Sequence, residues 1–283
     1  MSFIKSLYRF ISPRFQNIFL EYKVDFGPRY TESTAPHRLL NELINRNRNE
    51  YARLLQASLK YFDVFHSLNK MSEEQNAQLP VYNNNFLPGL DIVMLYTILS
   101  EYKPATYVEV GSGNSTKVAY HAIKKQGLST KIISMDPYPR AEIDALSNKI
   151  IREPFEKSNF DFLFALKPND ILFIDNSHRI LPNSDAMVFF MEVLPLLPKG
   201  VLVQVHDVYL PFDYPQDMCN RAYNEQYGLA FFLMANPERY HTIMPNYFVY
   251  TDKELHAITA PIWNNPKLHN VEQHGGSYWV VIK

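Results

Sequence analysis

The chain has 283 residues, a formal net charge of -1 and 46% hydrophobic residues. That balance excludes disorder throughout and a basic nucleic-acid footprint. Nine glycines exclude a collagen-like or linker-like chain, and the one cysteine, Cys219, excludes an intrachain disulfide. Nothing points to an oxidising compartment, so the expected location is the cytoplasm.

The first twenty residues carry Lys5, Arg9 and Arg14 and no acid. Phe3, Ile4, Leu7, Phe10 and Ile11 recur at helical spacing and predict a basic amphipathic helix. Such a helix lies on an anionic membrane surface, or packs on its own domain or on a partner; the pattern leaves these open. Charge interrupts the apolar stretch and no small-residue cleavage site follows, unlike a secretory signal. No apolar run is long enough to span a bilayer. Leu39, Leu40, Leu43 and Ile44, then Leu54, Leu55, Leu59, Phe62 and Phe65, predict one or two amphipathic helices over 36–70. Residues 71–78 read as a loop. After Pro88-Gly89, residues 90–102 read as a mostly buried helix.

From residue 105 strands and helices alternate. The runs 106–110, 131–135, 171–174 and 201–205 are short and apolar. Helices are expected over the residues after Ser115, near Phe160–Leu166 and over 183–197. This predicts an α/β fold with a mostly parallel sheet covered on both faces. Ligands then bind beyond the carboxyl ends of the strands, so the residues after each run carry the chemistry.

After the first run stands Glu109-Val110-Gly111-Ser112-Gly113-Asn114-Ser115. Two glycines at i and i+2 make a tight turn or let a ligand approach the backbone. Asn114 or Ser115 is placed to cap the next helix. The third glycine of a dinucleotide fingerprint is absent, which argues against a nicotinamide cofactor. After the second run come Asp136-Pro137-Tyr138; an acid there accepts both hydrogens of a ribose diol, or caps a helix. After the third and fourth come Asp175-Asn176-Ser177-His178 and His206-Asp207. Asp175, His206 and Asp207 are candidate ligands for Mg²⁺ or another divalent cation. His178 is a candidate general base, with Asp175 and His206 as catalytic partners. Each histidine alone also reads as a hydrogen-bonded structural residue. Tyr209–Pro215 form a ring-rich loop that either walls a substrate or covers the sheet. Arg221 and Glu225, at i and i+4 of a following helix, read as a solvated pair.

The stretches YVEVGSGNST, FIDNSH, VQVHDVYLPFDYP and GGSYWVVI, with Asp136, resemble the class I S-adenosylmethionine-dependent methyltransferases. They are most similar to the bacterial branch related to sugar and natural-product O-methyltransferases. The resemblance covers about 105–283. It implies a Rossmann-like sheet whose last strand, at 277–282, is antiparallel and pairs with residues near 239–245. It implies an N-terminal helical extension over 1–85 and a methyltransferase domain over 86–283, with a lid-like insertion near 246–274. Glu109, Gly111, Gly113, Asn114 and Ser115 would hold the methionine part of S-adenosylmethionine, and Asp136 and Pro137 its ribose side. Glu153, with Pro154, would border the adenine. Asp175, also among the cofactor-binding residues, would stand where metal-dependent members have a ligand or base. Metal-dependent members place two adjacent acids where this chain has His206-Asp207. The implied activity is methylation of a hydroxyl on a sugar, glycoconjugate or related small molecule. The other readings are a nicotinamide-dependent oxidoreductase and a catalytically silent binding protein. A small-molecule or glycan acceptor is expected, and no nucleic acid. Peripheral membrane contact through residues 1–20 and a homo-oligomer stay open.

Overall fold

Seven strands form one sheet in the order β3-β2-β1-β4-β5-β7-β6. They are β1 (Thr106–Val110), β2 (Lys131–Met135), β3 (Lys149–Ile151), β4 (Ile171–Ile174), β5 (Leu202–Val205), β6 (Tyr240–Pro245) and β7 (Tyr278–Ile282). The computed structural model describes residues 3–139 and 142–283. Met1 and Ser2, which open the basic N-terminal stretch, lie outside the described residues. Strands β1 to β5 pair in parallel, and β7 runs antiparallel between β5 and β6. This is the Rossmann-like sheet with an antiparallel last strand that the sequence resemblance implied. All four residues of β4 and all four of β5 are buried, as expected for central strands covered on both faces.

The order reverses between β1 and β4. Both pair with their neighbours in parallel, so their carboxyl ends open a crevice at this point. The helix Gly89–Tyr102 supports it from behind. Pro88 precedes its first turn, and Lys103 ends it in a left-handed conformation just before Pro104. Every residue from Gly89 to Ser100 is buried, which fits its lack of a polar face.

Three expectations change. The predicted helix near Phe160–Leu166 is a single tight turn over Asp161–Ala165. The helix predicted over 183–197 begins at Asp185, widens over Phe189–Val193 and closes as a tight turn at Leu194–Leu196. Pro195 in that last turn brings no amide hydrogen to continue a helix. Residues 246–274 do not cover the mouth of the crevice. They form short helices at Asn246–Thr251, Lys253–Ile258 and Ala260–Trp263. Leu255, Ile262, Trp263, Leu268 and Val271 join the main core, and Asp252 pairs with Arg48 of the helix Arg48–Ser58. Leu40, Ile44, Tyr51, Leu54 and Leu55 belong to the same core, so the helices of 38–67 are built into the body.

A strap over residues 26–37 lies on the loop after β5. Asp213 Oδ2 accepts the amides of Arg29 (2.7 Å) and Tyr30 (3.0 Å). His37 N donates to Pro211 O at 2.9 Å. Gln216 Nε2 donates to Phe26 O at 2.6 Å. The loop itself builds a small second core from Tyr209, Tyr214, Cys219 and Tyr223.

Candidate active site

The crevice is a cleft of about 430 Å³ beyond β1, β2 and β4. That is within the range for a drug-sized ligand. Gly111, Ser112, Asp136, Pro137, Tyr138 and Asp175 line it, with Pro154 and Phe155 on the far wall. Glu153, the acid expected at this border, is exposed and outside the lining. A smaller recess of about 190 Å³ continues past Gly113, Asn114 and Ser115 toward Asn84 and Phe86. A third, also about 190 Å³, is lined by Asp175, His178, His206 and Asp207, with Arg221 and Tyr223 at its wall. Asp175 is shared by all three.

Gly111 has φ +81°, and a Cβ on it would meet the carbonyl oxygen of Asp175 at 1.9 Å. The close approach it permits is therefore to the chain's own backbone. Around Gly113 the equivalent space is open, as a ligand recess requires.

Glu109 was expected to face the ligand but is buried beneath the loop. It accepts hydrogen bonds from Ser115 Oγ (3.0 Å) and Ser134 Oγ (2.7 Å), and another from Thr116 Oγ1. Thr116 Oγ1 also accepts the amide of Gly113 (3.0 Å). Ser115 thus reaches back to Glu109 and does not cap the helix Asn114–Gln126. Burial pushes the Glu109 carboxyl up to about 7, against the hydroxyls that favour its charged form. Glu109 shapes the loop from below.

Asp136 accepts the amides of Ser112 (2.8 Å) and Tyr138 (2.7 Å), one on each oxygen. Each oxygen keeps a further lone pair for a ligand hydroxyl. Pro137 and the exposed Tyr138 follow it on the rim. Asn176 supplies a second sign of a ligand. It is buried in the cleft wall, its Oδ1 accepts the amide of His178 (3.0 Å), and its Nδ2 has no partner. A buried donor left unpaired costs about 1–3 kcal/mol unless something fills the site. Asn114 Nδ2 donates to Asn84 Oδ1 at 3.1 Å and ties the second recess together.

The strand ends after β4 and β5 converge as the parallel pairing predicts. His178 Nε2 lies 3.4 Å from Asp175 Oδ1 and 3.4 Å from Asp207 Oδ2. His206 Nδ1 lies 3.7 Å from Asp175 Oδ1 and 3.4 Å from Asp207 Oδ1. His178 and Asp207 have φ of +62° and +54°. Such backbone is uncommon outside glycine and gathers at functional sites.

Three residues of this site were not read as such in the sequence. The far side of each imidazole meets a buried carboxylate. His206 Nε2 donates to Asp91 Oδ2 at 3.1 Å, and His178 Nδ1 donates to Glu225 Oε1 at 2.6 Å. Asp91 stands in the first turn of the apolar helix Gly89–Tyr102 and also accepts Asn246 Nδ2, Gly276 N and Ser277 N at 2.7–2.9 Å. A Cβ on Gly275 would fall 2.5 Å from Asp91 Oδ1, so the Gly275-Gly276 pair makes room for this carboxylate. Glu225 opens the helix Glu225–Ala235 and is fully buried, so it is not the solvated partner of Arg221. Tyr223 stacks on His178 at 4.7 Å, and the Arg221 guanidinium lies 4.4 Å over the Tyr223 ring.

Burial disfavours a charged imidazole, but the surrounding carboxylates outweigh it. Glu225, Asp207 and Asp175 raise His178 to about 9, and Asp175, Asp91 and Asp207 raise His206 to about 10. Both shifts favour the charged imidazole near neutral pH, which weighs against His178 as the general base. Among the described residues no group of three or more His, Cys, Asp or Glu is arranged to hold a metal ion. The donors expected for a cation, Asp175, His206 and Asp207, are here paired with one another as ions.

Residues 108–208 match a family model described as a methyltransferase domain. An uncharacterized protein of Archaeoglobus fulgidus is 27% identical over 135 residues, 45% of this chain. The chain spans 60% of that relative's length. Among solved structures, a SAH-bound methyltransferase of Podospora anserina is 14% identical, over 80% of this chain and 88% of its own, with a TM-score of 0.41. The O-methyltransferase from Bacillus cereus in complex with SAH is 14% identical, over 82% and 91%, also at 0.41.

Proposed function

We propose that this chain, which carries a methyltransferase domain over residues 108–208, moves a methyl group from S-adenosylmethionine to a hydroxyl of a sugar, glycoconjugate or related small molecule. One observation carries the reading: the Asp175 side chain is common to the ribose-and-loop cleft and to the recess of His178, His206 and Asp207. A donor in the first and an acceptor in the second meet across it.

Bound in the cleft, S-adenosylmethionine supplies a sulfonium methyl already activated for displacement. Asp136 holds the ribose hydroxyls with its free lone pairs, and Asn176 Nδ2 offers the cleft an unpaired donor. The carboxylates of Asp175 and Asp207 accept the hydrogen bond of the acceptor hydroxyl and orient its lone pair toward the donor. As the oxygen gains the methyl, its proton becomes strongly acidic and passes to one of these carboxylates. The His178 and His206 cations, fixed by Glu225 and Asp91, hold the two acids side by side.

Calorimetry with S-adenosylmethionine and S-adenosylhomocysteine tests the donor site. Formation of S-adenosylhomocysteine over a panel of hydroxylated sugars tests the reaction. Donor binding without turnover on any hydroxylated acceptor would overturn the hydroxyl assignment.

A further inference from the structure

Residues 7–25 stand apart from the rest of the molecule, and Phe26 begins the strap. Leu7, Phe10, Ile11, Ile18, Phe19 and Leu20 are exposed, Phe19 by 78%. None of residues 7–26 belongs to either core. Their rings meet one another: Tyr8 lies edge-on to Phe15 at 6.0 Å, and Phe10 to Phe19 at 6.2 Å. Asn17 Nδ2 donates to Phe10 O at 3.1 Å and folds the segment back behind the helix Phe3–Ile11. A cluster of water-exposed aromatic and aliphatic side chains of this density marks an interaction surface.

We propose that this segment docks on an anionic membrane surface. The charge pattern selects that occupant. Lys5, Arg9 and Arg14 are the only charged residues before Glu21, so the apolar side chains of residues 7–20 share their stretch with cations alone, and Glu21, Lys23 and Asp25 follow it. Short aromatic-rich segments of this kind bury their rings at the headgroup boundary, and their cations meet anionic lipid. A second copy of the chain would bring the same cations against its own and gains nothing from them. No described helix is long and apolar enough to cross a membrane, which fits an element that lies on the surface.

The anchorage fits the docking too. The segment runs straight into the strap that Asp213 and Pro211 hold. That loop leaves the Asp207 end of β5 and continues to Met218, Arg221 and Tyr223, which line the third recess. The segment is thus tethered to the wall of that recess, away from Asp136. This inference does not rest on the methyl-transfer reading.

The test is flotation of the full chain with vesicles of phosphatidylcholine alone and of phosphatidylcholine with phosphatidylglycerol. Binding is expected on the anionic vesicles and should weaken as salt is raised. Arg9→Gln/Arg14→Gln should weaken it roughly 30-fold, and Phe10→Ser/Phe19→Ser at least about tenfold. All four side chains lie outside both cores, so both variants should melt like the parent. Absence of vesicle binding, or equal binding by parent and variants, overturns the proposal. So does a dimer in light scattering that the Phe10→Ser/Phe19→Ser variant dissociates.

Discussion

Glu225 Oε1 lies 2.6 Å from His178 Nδ1, and both side chains are buried behind the third recess. This pair, with its counterpart Asp91–His206, fixes the charge state of the whole cluster. Its effect on pH dependence can be worked out. An unfolded histidine titrates near 6.5. In the fold His178 and His206 titrate near 9 and 10. Their charged forms therefore stabilise the fold fully below about pH 6.5, and that contribution is lost as pH rises through 9 and 10. Glu225→Gln keeps a hydrogen-bonding group but removes the charge. It should bring the alkaline loss of activity to lower pH and flatten the decline in stability above pH 7. Urea melts at pH 6 and 9.5, with a pH–rate profile, read both. Glu225→Ala should cost about 1–3 kcal/mol, because it leaves the buried Nδ1 of His178 without its acceptor while Asp175 and Asp207 still face Nε2.

Asp207 and Asp175 separate by the recesses they line. Asp207→Asn should lower kcat by about 10²–10⁴-fold, as removal of a proton acceptor does, and leave donor affinity unchanged. Asp175→Asn should lower kcat and also weaken the donor. Steady-state kinetics paired with donor calorimetry distinguishes the two. Equal loss of donor affinity in both variants would refute the division of the site.

Asp136→Ala should weaken S-adenosylmethionine binding by about 1.5–3 kcal/mol, the value of a charge-assisted hydrogen bond. Part of that loss comes from the loop, because Ser112 N and Tyr138 N also depend on this carboxylate. Asp136→Asn keeps one acceptor oxygen and should fall between parent and alanine. Unchanged calorimetric affinity in the alanine variant would remove Asp136 from the donor site.

Glu109 should show the opposite pH dependence to an ion-paired acid, because burial raises its carboxyl. Its carboxyl is raised to about 7, so its contribution to stability is present below about pH 4.5 and lost as pH rises through 7. Glu109→Gln should remove this slope in denaturation curves. Glu109→Ala should destabilise by about 3 kcal/mol, since the hydroxyls of Tyr107, Ser115, Thr116 and Ser134 lose their acceptor.

The sheet and the strand-end chemistry were legible because both are local. Apolar runs such as Ile171–Ile174 report burial on two faces, and the residues directly after them must sit at a carboxyl edge. Asp175, His178, His206 and Asp207 were found in that way. Their partners were not. Asp91 is 115 residues from His206 and reads locally as a first-turn acid, a common place for one at a helix start. One hint was available: its helix has no polar face, so a lone acid there had to be buried. Glu225 gave no such hint, because a basic residue four positions earlier imitates a surface pair. The lid expected at 246–274 failed for a similar reason. Its Pro, Asn and His content suggested exposure, while Leu255, Ile262 and Trp263 at wider spacing carry it into the core.

The contact between Gly111 and the Asp175 backbone has a consequence for how this enzyme type diversifies. Any side chain at 111 collides with the carbonyl at 175, so Gly111→Ala should unfold or badly distort the protein. The glycine turn and the backbone of Asp175 are mechanically one piece, so on the proposed function a change of acceptor is not expected to come from reshaping either. Adaptation to a different acceptor is left to the opposite wall, Tyr209 through Tyr223, which has its own small aromatic core. Libraries that aim to change acceptor preference belong on that wall, and the glycine turn should be left alone.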